Sequence, residues 1–150
     1  MTQVDTAQSF PTNIRYGDDV FIDAYGAAWG DAESIVSFFA EDSTYEDKTS
    51  GVVIRGHDMM RRFMKVYLRF SPMSVVTFTR VVMGPTSFAA EWMWTGTGDG
   101  ELRLPDGVTA ANGTAFDVPG MSMCTVDDDG LIASHTDYWD AATLMRQLGT

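Results

Sequence analysis

The residues best suited to acid–base chemistry lie close together near the end of the sequence. The segment Ser134–Asp140 reads SHTDYWD and combines a histidine, two aspartates and two aromatic side chains. Because the side chains of a strand alternate between its two faces, His135 and Asp137 share one face with Trp139. A histidine beside a carboxylate either serves proton transfer or forms a hydrogen bond that only supports the sheet. Asp140 is predicted to cap a final helix.

Other residue types that carry chemistry are few. His57 and His135 are the two histidines and Cys124 is the one cysteine, so no metal-ligand spacing is present. Cys124 is expected to be buried packing, and His57 a helix cap or surface group. The glycine-rich stretch TGTGDG does not match a phosphate-binding loop and is interpreted as a sheet bend or hairpin tip. The sequence therefore implies no metal and no cofactor.

Composition indicates a globular protein. With 150 residues, 45% hydrophobic and 21% charged, the chain suits a single domain over residues 1–150, with a polar lead-in over residues 1–16. We find no signal peptide and no apolar run long enough to span a bilayer. One cysteine excludes an internal disulfide and is typical of a reducing compartment, so we expect a cytoplasmic protein.

Charge and apolar content indicate which kinds of partner the chain could bind. A net charge of −11 argues against nucleic acid, which needs clustered Lys and Arg. The basic cluster at Arg61, Arg62, Lys65 and Arg69 is interpreted as the solvated face of one helix. Ten Met and four Trp, with nine Phe and five Tyr, can build an adaptable apolar cavity as well as a core.

The elements that must position these residues follow from periodicity. A helix is predicted from Asp18, Gly30 can end it, and Asp31 can cap a second helix. A short strand and a turn follow. A third helix, beginning near 56–58, carries the apolar stripe Met60, Phe63, Met64 and Tyr67. Four β segments and a short helix, AATLMRQLG, complete the chain. Helices followed by an antiparallel meander indicate an α+β fold.

The order of the predicted helices and strands, together with four sequence segments, resembles the nuclear transport factor 2-like superfamily. Within it, the resemblance is to the SnoaL-like branch, which contains polyketide cyclases. The segments are FFAEDSTYED, GHDMMRRFM, EWMWTGTGDGEL and DDDGLIASHTDYWDAATLMRQLG, and the resemblance runs from Asp18 to Gly149. It implies a cone-shaped α+β barrel whose strongly curved, mainly antiparallel sheet packs on helices around an apolar pocket. It also implies a homodimer formed through the outer face of the sheet. The same fold hosts several chemistries and non-catalytic domains, so the site must decide the function.

The resemblance to the cyclases and to limonene epoxide hydrolases assigns Asp137 to the pocket as the principal acid/base. We expect burial to raise the pKa of Asp137 towards neutrality, which would suit proton transfer. His135 would orient Asp137 or share its proton.

The resemblance to ketosteroid isomerases assigns the proton-abstracting acid to Asp47, which shares a strand face with Tyr45. It assigns an oxyanion-donating tyrosine to Tyr25. The second donor of those enzymes, an acid, falls on or near Ser122 here, which weakens a steroid-isomerase assignment. Asp47 is equally open to another interpretation, a turn carboxylate satisfied by Thr49 or Ser50.

The segment AEWMWTG bears on the pocket wall. It lacks the Arg and Asp that the epoxide hydrolases place on this strand, so hydrolysis by that apparatus is disfavoured. Its register allows either Glu91 and Met93 or Trp92 and Trp94 to face inward, and we favour the tryptophans as a flat wall. The remaining expected substrate-binding residues are Phe63, Met64 and Trp139.

These expectations favour a cofactor-independent acid/base enzyme that acts on a hydrophobic cyclic or polyketide-like small molecule. Aldol cyclisation, isomerisation and dehydration all begin with removal of a proton next to a carbonyl and stabilisation of an enolate. The alternatives are a non-catalytic ligand-binding or dimeric accessory domain, and an atypical epoxide hydrolase. Neither a nucleic acid nor a membrane is expected as a partner.

Overall fold

The α+β architecture predicted from the sequence is confirmed in the computed structural model, which describes residues 13–104, 107–110 and 113–149. The helices are α1 (Phe21–Ala28), α2 (Ala32–Val36), α3 (Gly56–Phe70) and α4 (Ala141–Leu148). The strands are β1 (Phe39–Asp47), β2 (Val52–Arg55), β3 (Val75–Met83), β4 (Ser87–Gly98), β5 (Glu101–Leu104), β6 (Gly107–Ala110), β7 (Thr114–Val126) and β8 (Ile132–Trp139). No helix within these residues is long and apolar enough to cross a membrane.

The main sheet has six strands in the order β2-β1-β8-β7-β4-β3, and β5 pairs with β6 in a separate hairpin. All neighbours in the main sheet are antiparallel except β1 and β8, which run parallel. That parallel pair aligns Tyr45 with His135 and Asp47 with Asp137. Two segments far apart in the sequence therefore present their candidate residues side by side.

Local signals at the helix ends are confirmed. Asp31 caps α2 by accepting a hydrogen bond from the Ser34 amide at 2.9 Å, and Asp140 caps α4 by accepting one from the Thr143 amide at 3.0 Å. Helix α1 begins at Phe21, later than predicted, because Asp18 belongs to a preceding turn.

Two strands differ from the prediction. Strand β1 is nine residues long rather than short, with an irregular register between Phe39 and Thr44. Strand β2 was not predicted, although its VVIR sequence follows a turn and pairs back on β1 as a hairpin. Its four residues are too few for periodicity to indicate a strand.

Part of the expected lead-in packs on the core. The Tyr16 ring stacks on Phe88 with a centroid separation of 5.4 Å, and its hydroxyl donates a hydrogen bond to the Gly84 carbonyl at 2.5 Å. Residues 1–12 of the lead-in lie outside the described residues.

Candidate active site

A cavity of about 470 Å³ lies between helix α3 and the main sheet, whose edge strand β2 borders it. Its wall is mostly aromatic and aliphatic, and includes Trp29, Tyr45, Val52, Ile54, Phe63, Tyr67, Phe70, Val76, Phe78, Trp92, Trp94 and Trp139. The charged or titratable side chains that reach it from the described residues include Asp47, Arg62, His135 and Asp137. An apolar cavity with a few convergent polar groups is the usual form of a small-molecule site.

Asp137 lies on the cavity wall and accepts three hydrogen bonds. Its Oδ1 atom accepts from the Ser122 hydroxyl at 2.5 Å and from His135 Nε2 at 2.6 Å. Its Oδ2 atom accepts from the Tyr45 hydroxyl at 2.7 Å. Strands β1 and β7 flank β8, and their registers bring Tyr45 and Ser122 to this carboxylate. The sheet pairing therefore assembles the candidate site from three strands.

His135 lies behind Asp137 with both ring nitrogens engaged. Nε2 contacts Asp137, while Nδ1 lies 2.6 Å from the Tyr25 hydroxyl oxygen and 3.2 Å from Cys124 Sγ. The side chain of His135 is 2% exposed and that of Asp137 is 11% exposed. A ligand in the cavity would therefore touch Asp137 in preference to His135, and Tyr25 and Cys124 fix the imidazole from the other side.

The two partners change each other's pKa in opposite directions. Burial is the largest single effect on His135 and by itself lowers its pKa, but the charge of Asp137, the charge of Cys124 and the hydrogen bonds to both residues together outweigh burial and raise the pKa to about 10. Burial by itself raises the pKa of Asp137, but the charge and hydrogen bond of His135, with hydrogen bonds from Ser122 and Tyr45, hold it below its usual value. The expected rise in the pKa of Asp137 is therefore wrong, because a partner charge opposes desolvation. At neutral pH the pair is an imidazolium and a carboxylate.

The stability of the fold is expected to depend on pH through this pair. The contribution of His135 is complete below its unfolded-state pKa of 6.5 and is lost as the pH rises through about 10. The contribution of Asp137 is present above 3.8 and is lost as the pH falls through its lowered folded-state pKa. We therefore expect the free energy of unfolding to fall between pH 6.5 and about 9, below the range where tyrosines titrate.

Urea denaturation at several pH values checks this dependence. The matched control is the double variant His135→Leu/Asp137→Leu, which lacks both titrating groups. If the free energy of unfolding changed equally with pH in the two proteins between pH 6.5 and about 9, the pair would not be the cause of the pH dependence.

Asp47 reaches the cavity wall, but its oxygens are occupied locally. Oδ1 accepts from the backbone amides of Thr49 and Ser50, each at 2.9 Å, and Trp139 Nε1 lies 3.0 Å from Oδ1 and 2.9 Å from Oδ2. This is the turn carboxylate that the sequence left open as the alternative to a catalytic acid, and the backbone amides of Thr49 and Ser50 satisfy it.

Strand β4 turns its tryptophans inward. Trp92 and Trp94 are buried on the cavity wall, while Glu91 is exposed and pairs with Arg80 at 2.7 Å. Trp92 Nε1 donates to the Ser122 hydroxyl at 2.8 Å, and that hydroxyl donates to Asp137. The favoured register of this strand is confirmed, and Trp92 supports the candidate site through Ser122.

Gly120 makes room for the side chain of Trp92. It pairs with Trp92 on one side and with Trp139 on the other. A Cβ atom at Gly120 would overlap the indole ring of Trp92. The absence of a side chain here therefore lets the ring lie flat across β7.

The variant Gly120→Ala is expected to lower the free energy of unfolding by about 1–3 kcal/mol, the usual cost of overpacking. It should also weaken the Trp92–Ser122 hydrogen bond and change tryptophan fluorescence. Urea denaturation measures the first effect. Gly30→Ala is the matched control, because a Cβ atom there meets only the Ala27 carbonyl oxygen at 3.4 Å. Equal stabilities of the two variants would contradict the close approach at Gly120.

Two predicted substrate-binding residues do not reach the cavity. Tyr25 is fully buried behind His135, so it contacts the imidazole rather than a ligand. Met64 is fully buried in the core, whereas its neighbour Phe63 faces the cavity, because successive helical residues point in different directions. Trp139 lines the cavity as predicted.

Several wall residues were missed as ligand contacts. Trp29 and Ile54 border the cavity, and Tyr67 does so from α3. Burial raises the pKa of Tyr67 to about 12, so its hydroxyl stays protonated. Trp94 Nε1 is buried near the Tyr67 ring with no acceptor in hydrogen-bonding geometry among the described residues. The apolar stripe on α3 included Tyr67, but such a stripe does not distinguish residues that line a cavity from residues that pack in the core.

The arrangement combines one proton acceptor, Asp137, with the imidazolium of His135 and with neutral hydroxyl donors. Burial and then the charge of Asp137 raise the pKa of Tyr45, so Tyr45 remains a hydrogen-bond donor at neutral pH. Within the described ranges, no group of three or more His, Cys, Asp or Glu could hold a metal ion. The site can accept a proton at Asp137 and can donate hydrogen bonds from hydroxyl groups.

Comparison with solved structures shows what the fold is similar to. A hypothetical protein from Catenulispora acidiphila with a ketosteroid isomerase-like fold, solved with trimethylamine, has a TM-score of 0.72 at 22% identity, covering 85% of this chain and 91% of that one. A candidate SnoaL-like polyketide cyclase from Jannaschia sp. CCS1 has a TM-score of 0.70 at 18% identity, covering 87% of each chain. A candidate polyketide cyclase from Xanthomonas campestris pv. campestris has a TM-score of 0.68 at 24% identity, covering 85% of this chain and 93% of that one. These similarities establish the fold.

No curated protein matches the chain. The model of the SnoaL-like domain family matches residues 20–135, which is most of the sequence. The match includes β1, α3 and β7, and it ends at His135, two residues before Asp137. The chain therefore belongs to the SnoaL-like domain family.

Proposed function

We propose that this protein is a cofactor-independent acid/base enzyme that acts on a hydrophobic, cyclic or polyketide-like small molecule. The reaction is an aldol cyclisation, an isomerisation or a dehydration, and each begins with removal of a proton from carbon. The observation that carries this proposal is the position of Asp137, a carboxylate held by three donors on the wall of a large apolar cavity.

The low pKa of Asp137 narrows the substrate class. A carboxylate paired with an imidazolium is a weak base. It therefore suits a substrate whose own neighbouring groups make the reacting C–H bond acidic. A C–H group between two carbonyls has this property, because both carbonyls share the enolate charge. We therefore favour a 1,3-dicarbonyl substrate over a simple ketone.

The proposed steps keep the proton within the site. Asp137 takes the proton, and the electron pair of the C–H bond forms an enolate. In a cyclisation the enolate carbon attacks a second carbonyl of the same molecule, and the resulting alkoxide takes the proton back from Asp137. Tyr67, whose hydroxyl stays protonated across the cavity, would donate to the enolate oxygen. The aromatic walls exclude water from the intermediate.

Hydrogen–deuterium exchange tests the proton transfer without the natural substrate. In D₂O, wild-type protein should accelerate loss of the methylene ¹H signal of 1-phenyl-1,3-butanedione beyond the rate in buffer of the same pD, measured at early times by rapid-mixing NMR. The related monoketone 4-phenyl-2-butanone should be accelerated less. A diketone that binds, as shown by tryptophan quenching, yet exchanges at the buffer rate would contradict an acid/base enzyme.

A non-catalytic ligand-binding domain is the second candidate, and one observation favours it. Three donors already occupy both oxygens of Asp137, and such a set also stabilises a purely structural ion pair. A binding domain would show quenching by the diketone without any acceleration of exchange. The same two measurements therefore separate the candidates.

We also propose a homodimer formed through the outer face of the sheet, acting in the cytoplasm. Met121, Met123 and Tyr138 are large, exposed and adjacent on that face, since Met121 pairs with Tyr138 across β7 and β8. A buried free cysteine, Cys124, fits a reducing compartment. Light scattering should give twice the chain mass for wild type and the chain mass for Met121→Lys/Met123→Lys. A wild-type monomer would contradict the dimer.

A further inference from the structure

Arg62 lies at the mouth of the cavity, within a collar of exposed apolar side chains. It shares a face of α3 with Met59 and Val66, which are three residues before it and four after it. Met59 is 45% exposed and Val66 is 57% exposed, although both line the cavity. Val53 of β2, 50% exposed, completes the collar across the mouth. Exposed apolar residues around one cation mark a surface that is suited to an amphipathic ligand.

The guanidinium of Arg62 has no acidic partner among the described residues. Its neighbour Arg61 is paired with Glu33 at 2.7 Å and with Asp58 at 3.0 Å. Arg62 borders the cavity instead, and no ion pair or hydrogen bond within the described part of the chain engages it. Within the basic cluster noted in the sequence, Arg61 is therefore paired on the surface, whereas Arg62 borders the cavity.

The other charges on the cavity wall are already neutralised or hydrogen-bonded. The imidazolium of His135 is matched by Asp137, and Asp47 is held by two backbone amides and an indole. Arg62 is then the unmatched positive charge of the described wall, in a chain whose net charge is −11. Such a chain repels anions at long range, so an anionic ligand needs a local cation at the entrance.

We propose that Arg62 binds the carboxylate of an apolar organic acid whose uncharged body fills the cavity. A guanidinium presents parallel N–H groups that match the two oxygens of a carboxylate. The apolar collar lowers the local dielectric beside the pair and strengthens it. The acid group stays at the mouth, because a carboxylate deeper in the apolar cavity would lose its hydration without a free cation to pair with. This inference rests on the proposed function, since the same cavity would hold the substrate, and it makes that substrate a carboxylic acid.

Two fluorescent ligands with the same apolar body test the assignment. 1-Pyrenebutyrate carries a carboxylate, whereas 1-pyrenebutanol is neutral, and energy transfer from the cavity tryptophans reports the binding of either. We expect Arg62→Gln to weaken the binding of pyrenebutyrate about three- to fivefold, as for loss of an exposed ion pair. The affinity for pyrenebutanol should be unchanged. Lys65→Gln is the matched control, since it removes a nearby charge from α3 outside the cavity wall.

Salt and competition complete the experiment. The effect of Arg62→Gln should shrink as the salt concentration rises from about 0.01 M to 1 M, because the Debye length falls from about 30 to 3 Å. Pyrenebutanol should displace pyrenebutyrate, which places both in one cavity.

Each other outcome overturns the inference. Equal weakening of both ligands by Arg62→Gln would mean that the arginine acts by packing its aliphatic stem. An equal effect of Lys65→Gln on pyrenebutyrate would mean that only the net charge matters. Pyrenebutanol binding with a pyrenebutyrate affinity unaffected by Arg62→Gln would remove the carboxylate site but leave the proposed enzyme intact. Failure of both ligands to bind wild type would remove the cavity as a ligand site, and the proposed function with it.

Discussion

Replacing Asp137 by asparagine is expected to lower the rate of carbon–hydrogen exchange, and of turnover once the substrate is identified, by about 10²–10⁴-fold. Asparagine has nearly the same shape and keeps an acceptor oxygen for Ser122 and His135, so the hydrogen bonds around the site can largely persist. What it loses is the ability to take a proton. The rate of exchange of the diketone, measured by NMR in D₂O, gives the effect directly.

The same variant carries a second readout that does not depend on catalysis. Without the carboxylate of Asp137, burial is opposed only by the contributions of Cys124, so the pKa of His135 should fall from about 10. An NMR titration of the two histidines follows this change. Asp47→Asn is the matched control, since its carboxylate is already held by turn amides and Trp139. A folded Asp137→Asn protein that exchanges at the wild-type rate would remove Asp137 from the mechanism.

The second large effect concerns stability. His135→Leu is expected to lower the free energy of unfolding by about 3–5 kcal/mol, because it leaves the carboxylate of Asp137 buried without its counter-charge. Leucine fills a similar apolar volume, so the loss comes from electrostatics and hydrogen bonding more than from a cavity. Urea denaturation at neutral pH measures the change.

Two variants control for this effect. His57→Leu removes the other histidine, whose Nε2 contacts the Phe39 carbonyl oxygen at 2.7 Å, and should cost only about 1 kcal/mol, as for one hydrogen bond. The double variant His135→Leu/Asp137→Leu should be more stable than His135→Leu alone, since no charge is then left buried. If the double variant were the less stable of the two, an unpaired charge could not be the cause.

Much of the local structure could be predicted from the sequence. Alternation correctly placed His135, Asp137 and Trp139 on one face of β8, and Tyr45 with Asp47 on one face of β1. The helix-capping residues Asp31 and Asp140 could likewise be predicted from the sequence. These features depend on backbone periodicity and on hydrogen bonds within three residues, so the sequence alone contains the information.

The interior of the site was less predictable. The stripe on α3 correctly marked a buried face, yet Phe63 reaches the cavity and Met64 does not. Both residues are apolar and adjacent, and their difference depends on how the helix is rotated against the sheet. The same reason explains Tyr25, which matches a donor position but lies behind His135.

The sequence by itself determined which side chains share a strand face, which residues cap α2 and α4, and that the chain resembles a SnoaL-like cone. Only the tertiary structure decided that β1 runs parallel to β8, which brings the Tyr45 hydroxyl to Asp137 across 92 residues of chain. It also reversed the expected pKa shift of Asp137, because His135 and Ser122 surround the carboxylate that burial alone would have neutralised. Strand pairing and the balance of burial against partner charge are long-range properties. They depend on which distant residues meet, and no local pattern records that.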